Sequence, residues 1–136
     1  MNMRQYSRLQ TAALVRRLGN QVDQAAHSAD EEAVHDLRVS IRRLSRCLRV
    51  FAQFYPGSSW KKLRAQLHEL MEAAGAVRDV DIAIGLLGEA GIPARTALLL
   101  RLAGERRKRG RRLASALRQW RSRKLRQWSR RLESPG

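Results

Sequence analysis

What this chain has little of narrows it first. Its 136 residues include one cysteine, three prolines, few aromatics (5%) and only 12 acidic side chains. A single thiol, Cys47, excludes an intrachain disulfide framework and supplies no metal-ligand set. On a helix it flanks the apolar stripe, the usual place of a buried free thiol. Pro56, Pro93 and Pro135 each follow a helical pattern, so they punctuate the chain rather than interrupt it. No strand-like alternation stands out. No run approaches the ~18 apolar residues that a membrane span needs. The opening MNMRQYSRLQTAALVRRLG lacks the unbroken apolar segment of a signal peptide. A cytoplasmic location is the expectation.

The shortage of acids has the largest consequence. Lys plus Arg number 28, which gives a formal charge of +16 and a pI near 11.7. Self-repulsion of that size works against compaction, so a polyanionic partner is expected to balance it. Nucleic acid, an anionic membrane surface and a chain of phosphates all qualify. Arg far outnumbers Lys, and the planar guanidinium fork matches phosphate oxygens better than a point-charge ammonium.

What is present is helical periodicity. The length suits one domain with a real core. A first helix is predicted from about Met3 to Ala26, with Tyr6, Leu14, Leu18, Val22 and Ala25 inward. After the turn HSAD, Ser28 or Asp30 can cap a second helix whose first turn carries Glu31 and Glu32. There Val34, Leu37, Ile41, Leu44, Leu48 and Phe51 form a bundle-like seam. Pro56 disfavours a helical Tyr55 and stops it. Ser58 or Ser59 can cap a third helix, seamed by Trp60, Leu63, Leu67, Leu70, Ala74 and Val77 and ended by the glycines from Gly85 to Gly91. A fourth helix should start near Pro93, carry Leu99, Leu102, Leu113, Leu117 and Trp120, and break at Ser122. A short basic helix and a frayed tail follow. The fold class is therefore all-α: an antiparallel four-helix bundle over residues 1–132, with 133–136 a disordered tail.

The basic residues are arranged, not scattered. In HDLRVSIRRLSR (35–46) the side chains of His35, Arg38 and Arg42, continued by Arg49, share one flank of the second helix beside its seam. Arg43 and Arg46 lie farther round. A solvated face would carry carboxylates at i,i+4, and beyond Asp36 this helix has none. The third helix lines up Lys61, Arg64, His68 and Arg78, with Gly75 among them. That glycine serves either a close backbone or ligand approach or tight helix packing, at a cost of ~1 kcal/mol against alanine. On the fourth helix the seam runs into Arg106 and then Arg109 or Gly110, and arginines are costly inside a closed core without partners. An open cleft lined by them is one resolution, and a register shift that returns them to solvent is the other. Asp79 and Asp81 suit ion pairing with arginines, as does Asp36, better than they suit a divalent ion. His35 and His68 lack metal-ligand spacing. No nucleophile–base constellation and no Gly-rich phosphate loop is visible, so neither catalysis nor a cofactor is expected.

Few aromatics also bear on which polyanion. Single strands are bound on exposed stacking platforms, and Trp60, Trp120 and Phe51 fall on the apolar seams. No helix-turn-helix signature presents a groove reader. A basic amphipathic segment at 105–131 keeps a membrane surface in view. Phosphates without bases fit packed arginines best.

The segments EAVHDLRVSIRRLSRCLRVF and LHELMEAAGAVRDVDIAI strongly resemble the conserved histidine α-helical domain, CHAD. That family is marked by an HDxRVxxRRLR-like helix followed by an LGxxRDxDV-like element, and both occur here in order. ALRQWRSRKLRQW resembles, more loosely, a later segment around a Ser-Arg pair. The resemblance implies a helical bundle that binds inorganic polyphosphate in a basic, histidine-marked cleft, and association with polyphosphate granules. Its basic positions fall on His35, Arg38, Arg42, Arg43 and Arg78, and its acidic ones on Asp36, Asp79 and Asp81. Periodicity adds Arg49, Lys61, Arg64, Arg106, Arg109 and Arg123. Family members commonly contain two four-helix units, whereas this chain covers one, so a homodimer is expected. Ser45 stands where the family often has a basic or small residue, and no triphosphate-processing domain accompanies the motifs. The alternative is a nonspecific nucleic-acid-binding basic helical protein. A phosphohydrolase would announce itself by phosphate release with a divalent metal.

Overall fold

The computed structural model describes residues 1–54 and 59–133. Helix α1 spans Met3–His27, α2 Glu31–Val50, α3 Ser59–Glu89, α4 Ala97–Gln119 and α5 Leu125–Glu133. A short 3₁₀ turn, Ala52–Phe54, follows α2, and a π-helical turn, Trp120–Lys124, joins α4 to α5. Helix α2 packs between α1 and α3, α4 lies beside α3 and returns towards α1, and α5 folds onto α1. The expected all-α bundle is the fold.

The helix starts follow from their caps. Asn2 and Gln5 form a reciprocal capping box, with the Gln5 N–H donating to Asn2 Oδ1 at 2.8 Å. Of the two caps open for α2, Asp30 serves: its Oδ1 accepts from the Ala33 N–H at 2.8 Å. Ser28 instead closes α1, its N–H donating to the Gln24 carbonyl. The expected stop at Pro56 and the Ser58 cap lie outside the described residues, as does the tail beyond Glu133. Glu133 itself ends α5.

The core is the one the seams outline. Leu18, Val22, Val34, Leu37, Ile41, Leu44, Leu48, Leu63, Leu67, Leu70, Ala74, Val77, Leu113 and Leu117 are fully enclosed. Each buried Leu, Ile or Val contributes about 1.5–3 kcal/mol of transfer free energy. Tyr6 departs from expectation: it is exposed and meets the edge of Phe51, whose ring centroid lies 6.1 Å away. The reason is its place in the first turn of α1, beyond the end of the core. Cys47 is half-buried beside Thr11, and burial pushes its thiol above the usual cysteine range.

Two glycines do not end α3. The helix runs through Gly85 and Gly88, and Gly91 terminates it with φ +79°. The Ile92 N–H donates to the Leu87 carbonyl and the Gly91 N–H to that of Gly88, a Schellman closure. Helix α4 starts later than Pro93 because the Thr96 hydroxyl and N–H both donate to the Pro93 carbonyl, forming a turn first. Ser122 does not break the rod. The wider π turn there carries one extra residue per turn, so the helix continues with its faces re-aimed. Trp120 and Trp128 both end up buried, and the Trp128 indole N–H donates to Gln66 Oε1 on α3 at 2.8 Å.

The helices are unequal in length, and this shapes the molecule. Helix α3 has 31 residues and α2 has 20, a difference of about 16 Å at 1.5 Å rise per residue. The α3–α4 hairpin therefore outruns the Ser28–Asp30 turn between α1 and α2. The bundle proper closes at that turn with a polar latch. Arg106 on α4 donates through Nε to Asp81 Oδ1 on α3 at 3.0 Å, and through Nη2 to the Ala29 carbonyl at 2.6 Å. At the latch and beyond it, Val80 and Leu99 are buried outside the main core cluster.

Candidate anion-binding face

The expected basic residues divide into two groups by what they touch. Arg78 donates to Glu31 at 3.2 Å, across the α2–α3 groove. Arg106 is held in the latch, its side chain 23% exposed and that of Asp81 12%. Arg109 donates to Glu105 at 2.9 Å and to the Ala76 carbonyl at 2.9 Å. His68 meets Glu72 at 3.0 Å. These four side chains have internal partners, which is why Arg106 and Arg109 are tolerated on the inward side of α4, where each also borders an open groove.

The second group has none. Among the described residues, Arg38, Arg42, Arg43, Arg46, Arg49, Lys61, Arg64 and Arg123 form no ion pair within 4.0 Å. Arg38 is half-buried, and its Nε–H is enclosed without an acceptor. Arg42, Arg43, Arg46, Arg49 and His35 are exposed on α2. Lys61 Nζ and Arg64 Cζ stand 5.7 and 5.6 Å from the Trp60 ring centroid, within cation–π range. Trp60 thus anchors two cations at the start of α3. Because α2 and α3 are antiparallel, with Glu31 beside Arg78, the start of α3 lies near the end of α2. The free stripe on α2 and the Trp60 cations therefore border one side of the bundle. Arg123 sits apart, exposed on the π turn.

Of the acidic residues expected to pair with arginines, Asp81 does so, and Asp36 and Asp79 form no ion pair among the described residues. Asp81 pairs with Arg106 and not with Arg78. Asp36 lies off the flank of His35, Arg38, Arg42 and Arg49, lining a groove with Asp23, His27, Asp30 and Glu32 at the α1–α2 turn. Asp79 borders a groove between α3 and α4 with Glu72, Glu105, Lys108 and Arg112, where charges of both signs mix. An alanine-sized side chain at Gly75, in the same groove, would meet nothing within 4 Å, so tight helix packing is not why glycine stands there. Among the described residues no three His, Cys, Asp or Glu side chains are close enough to hold a metal ion, and no helix is long and apolar enough to cross a membrane.

Residues 9–135 match the CHAD domain family. The chain belongs to the CHAD family. No curated protein and no solved structure matches it. In this CHAD domain the HDLR helix is α2 and the RDVD element lies at the latch end of α3, so the two family segments play different parts. The first presents free cations, and in the second Arg78 and Asp81 are taken up by ion pairs while Asp79 stays exposed. Sequence reasoning passed over the exposed, unpaired Arg107, Lys108, Arg111 and Arg112 of α4. The run RRKRGRR is the signal that marks them.

Proposed function

We propose that this CHAD domain is a binding module for inorganic polyphosphate and that its α2 stripe is the primary contact. One observation carries the reading: Arg38, Arg42, Arg43, Arg46 and Arg49 crowd one helix and form no ion pair among the described residues, while the inward-side Arg78, Arg106 and Arg109 are paired. Guanidinium groups with free N–H donors match the closely spaced oxygens of a phosphate chain. His35, at the head of the stripe, adds a further donor. Lys61 and Arg64 extend the track, and Arg123 and the free α4 cations supply attraction at longer range. Arg78, Arg106 and Arg109 would contribute by exchanging an internal partner for phosphate or by holding the frame.

A base-reading role has less support. Trp120 and Trp128 are buried, and Trp60 lies under Lys61 and Arg64, so no tryptophan offers a free stacking face. Nonspecific nucleic-acid binding is the alternative, driven by charge alone. We further propose a binding role without catalysis, a cytoplasmic location at polyphosphate granules, and pairing with a second copy.

The test is a competition titration: labelled long-chain polyphosphate bound to the protein, challenged with duplex DNA, RNA and heparin at matched phosphate or charge, over a range of salt. Polyphosphate should resist displacement, and its affinity should fall steeply with salt as contacts release counterions. Equal competition by all polyanions would reduce the stripe to a general basic surface. A flat salt response would count against phosphate contacts altogether.

A further inference from the structure

The projecting end of the α3–α4 hairpin has no task in anion binding. Beyond the Arg106–Asp81 latch, α3 continues to Glu89 and α4 begins at Ala97, while α1 and α2 have already turned back at Ser28–Asp30. Two helices of the four-helix arrangement thus go on without the other two. The face they would have covered is open: a Cβ added at Gly85 or Gly88 would meet nothing within 4 Å. Large apolar side chains stand in solvent there, with Leu86 61% exposed, Leu100 59%, Leu98 51% and Ile82 42%. Ile92 at the tip is exposed as well. A cluster of this kind on a monomer marks an interaction site.

Charge says what covers it. Residues 82–104 contain only Glu89, Arg95 and Arg101 as charged side chains, a net charge of +1. The chain has 28 + 12 = 40 charged residues in all, so the remaining 113 carry 37 of them and a net +15. Two copies of a +16 protein repel each other over most of their surfaces. At the near-neutral hairpin end two copies can approach at little electrostatic cost. A twofold contact sets like against like, which suits a near-neutral apolar surface. An anchor for anionic lipid would instead place an excess of cations among the apolar residues. We propose that the overhanging α3–α4 ends of two copies dock about a twofold axis, each supplying the two helices that the other lacks. This names the surface for the pairing proposed above and does not depend on what the α2 stripe binds.

Sedimentation velocity of the full chain without polyphosphate tests it, at about 0.3 M salt so that charge repulsion is screened. Parent protein is compared with Leu86→Glu and Leu100→Glu, with circular dichroism as the folding control. The parent should be a dimer and both variants monomers of unchanged helicity, with polyphosphate affinity per protomer retained. Should either Glu variant lose helicity, Leu86→Ala and Leu100→Ala replace them. Each removes apolar contact twice per dimer and should raise the dissociation constant by roughly tenfold or more. A parent dimer indifferent to these substitutions would place the interface elsewhere and overturn the surface alone. A monomeric parent would overturn both the surface and the pairing. Flotation of a monomeric parent with neutral phosphatidylcholine vesicles would assign the hairpin end to lipid. Loss of polyphosphate binding in a dimeric parent would instead strike only the α2 reading.

Discussion

Arginine is not one kind of residue in this protein. Arg106 and Arg38 are both partly enclosed, but Arg106 has Asp81 and a carbonyl for its donors while Arg38 has an Nε–H with no acceptor. Opposite outcomes follow on substitution. Arg38→Ala and Arg42→Ala should each weaken polyphosphate binding several-fold and leave the thermal midpoint within a few degrees. Arg106→Ala leaves Asp81 buried and unpaired, and should cost about 3 kcal/mol in urea unfolding. Replacing both partners, Arg106→Met with Asp81→Leu, should restore much of that. Equal stability of Arg106→Ala and the parent would mean that the latch is ornamental. Sequence periodicity identified Arg106 as inward and therefore in need of an explanation. It could not supply the explanation, because Asp81 is 25 residues away and the Ala29 carbonyl 77. Side-chain pairing across helices is set by packing register, which no local pattern encodes.

At the scale of elements, the apolar seams of α2 and α3 were legible almost residue by residue, since a 3–4 spacing of large aliphatic side chains leaves little choice of face. The ends were less so. Gly85 and Gly88 suggested a stop, yet intrinsic propensity is only ~1 kcal/mol per glycine and neighbouring helical residues override it. Only the residue that must adopt a left-handed backbone ends α3, and that is Gly91. Alanine scanning of the three glycines should therefore split in sign. Gly91→Ala should destabilise by about 1 kcal/mol because its φ is unfavourable to a side chain. Gly88→Ala and Gly85→Ala sit in helix with open space at Cβ, and should each stabilise by roughly 0.5–1 kcal/mol. Thermal denaturation of the three single variants decides it. The π turn at Trp120–Lys124 was hidden for a related reason: one additional residue in a turn changes no composition, only which faces come inward afterwards.

For the whole molecule, net charge was readable from composition and sets the response to solution conditions. A chain at +16 stores repulsion that salt or a polyanion relieves. The thermal midpoint should thus rise with sodium chloride, and rise further with long-chain polyphosphate at low salt, as any ligand that prefers the folded state stabilises it by mass action. A midpoint insensitive to both would mean that the positive groups are already far enough apart to ignore one another. Of the candidate site, the α2 stripe was visible in the sequence because it needs only one helix and its missing carboxylates. The division between free and paired cations was not, since it depends on three helices meeting.

The latch also divides the molecule along its length. On one side lies a core of four helices; on the other, two helices meet through Leu99 and the half-buried Ile84, Leu87 and Leu102. Local opening in a protein costs what the departing contacts are worth, and so proceeds in cooperative units of unequal strength. Arg106 and Asp81 mark the boundary between two such units here. The hairpin end should therefore open more readily than the bundle unless a partner covers it, which faster amide exchange there would show.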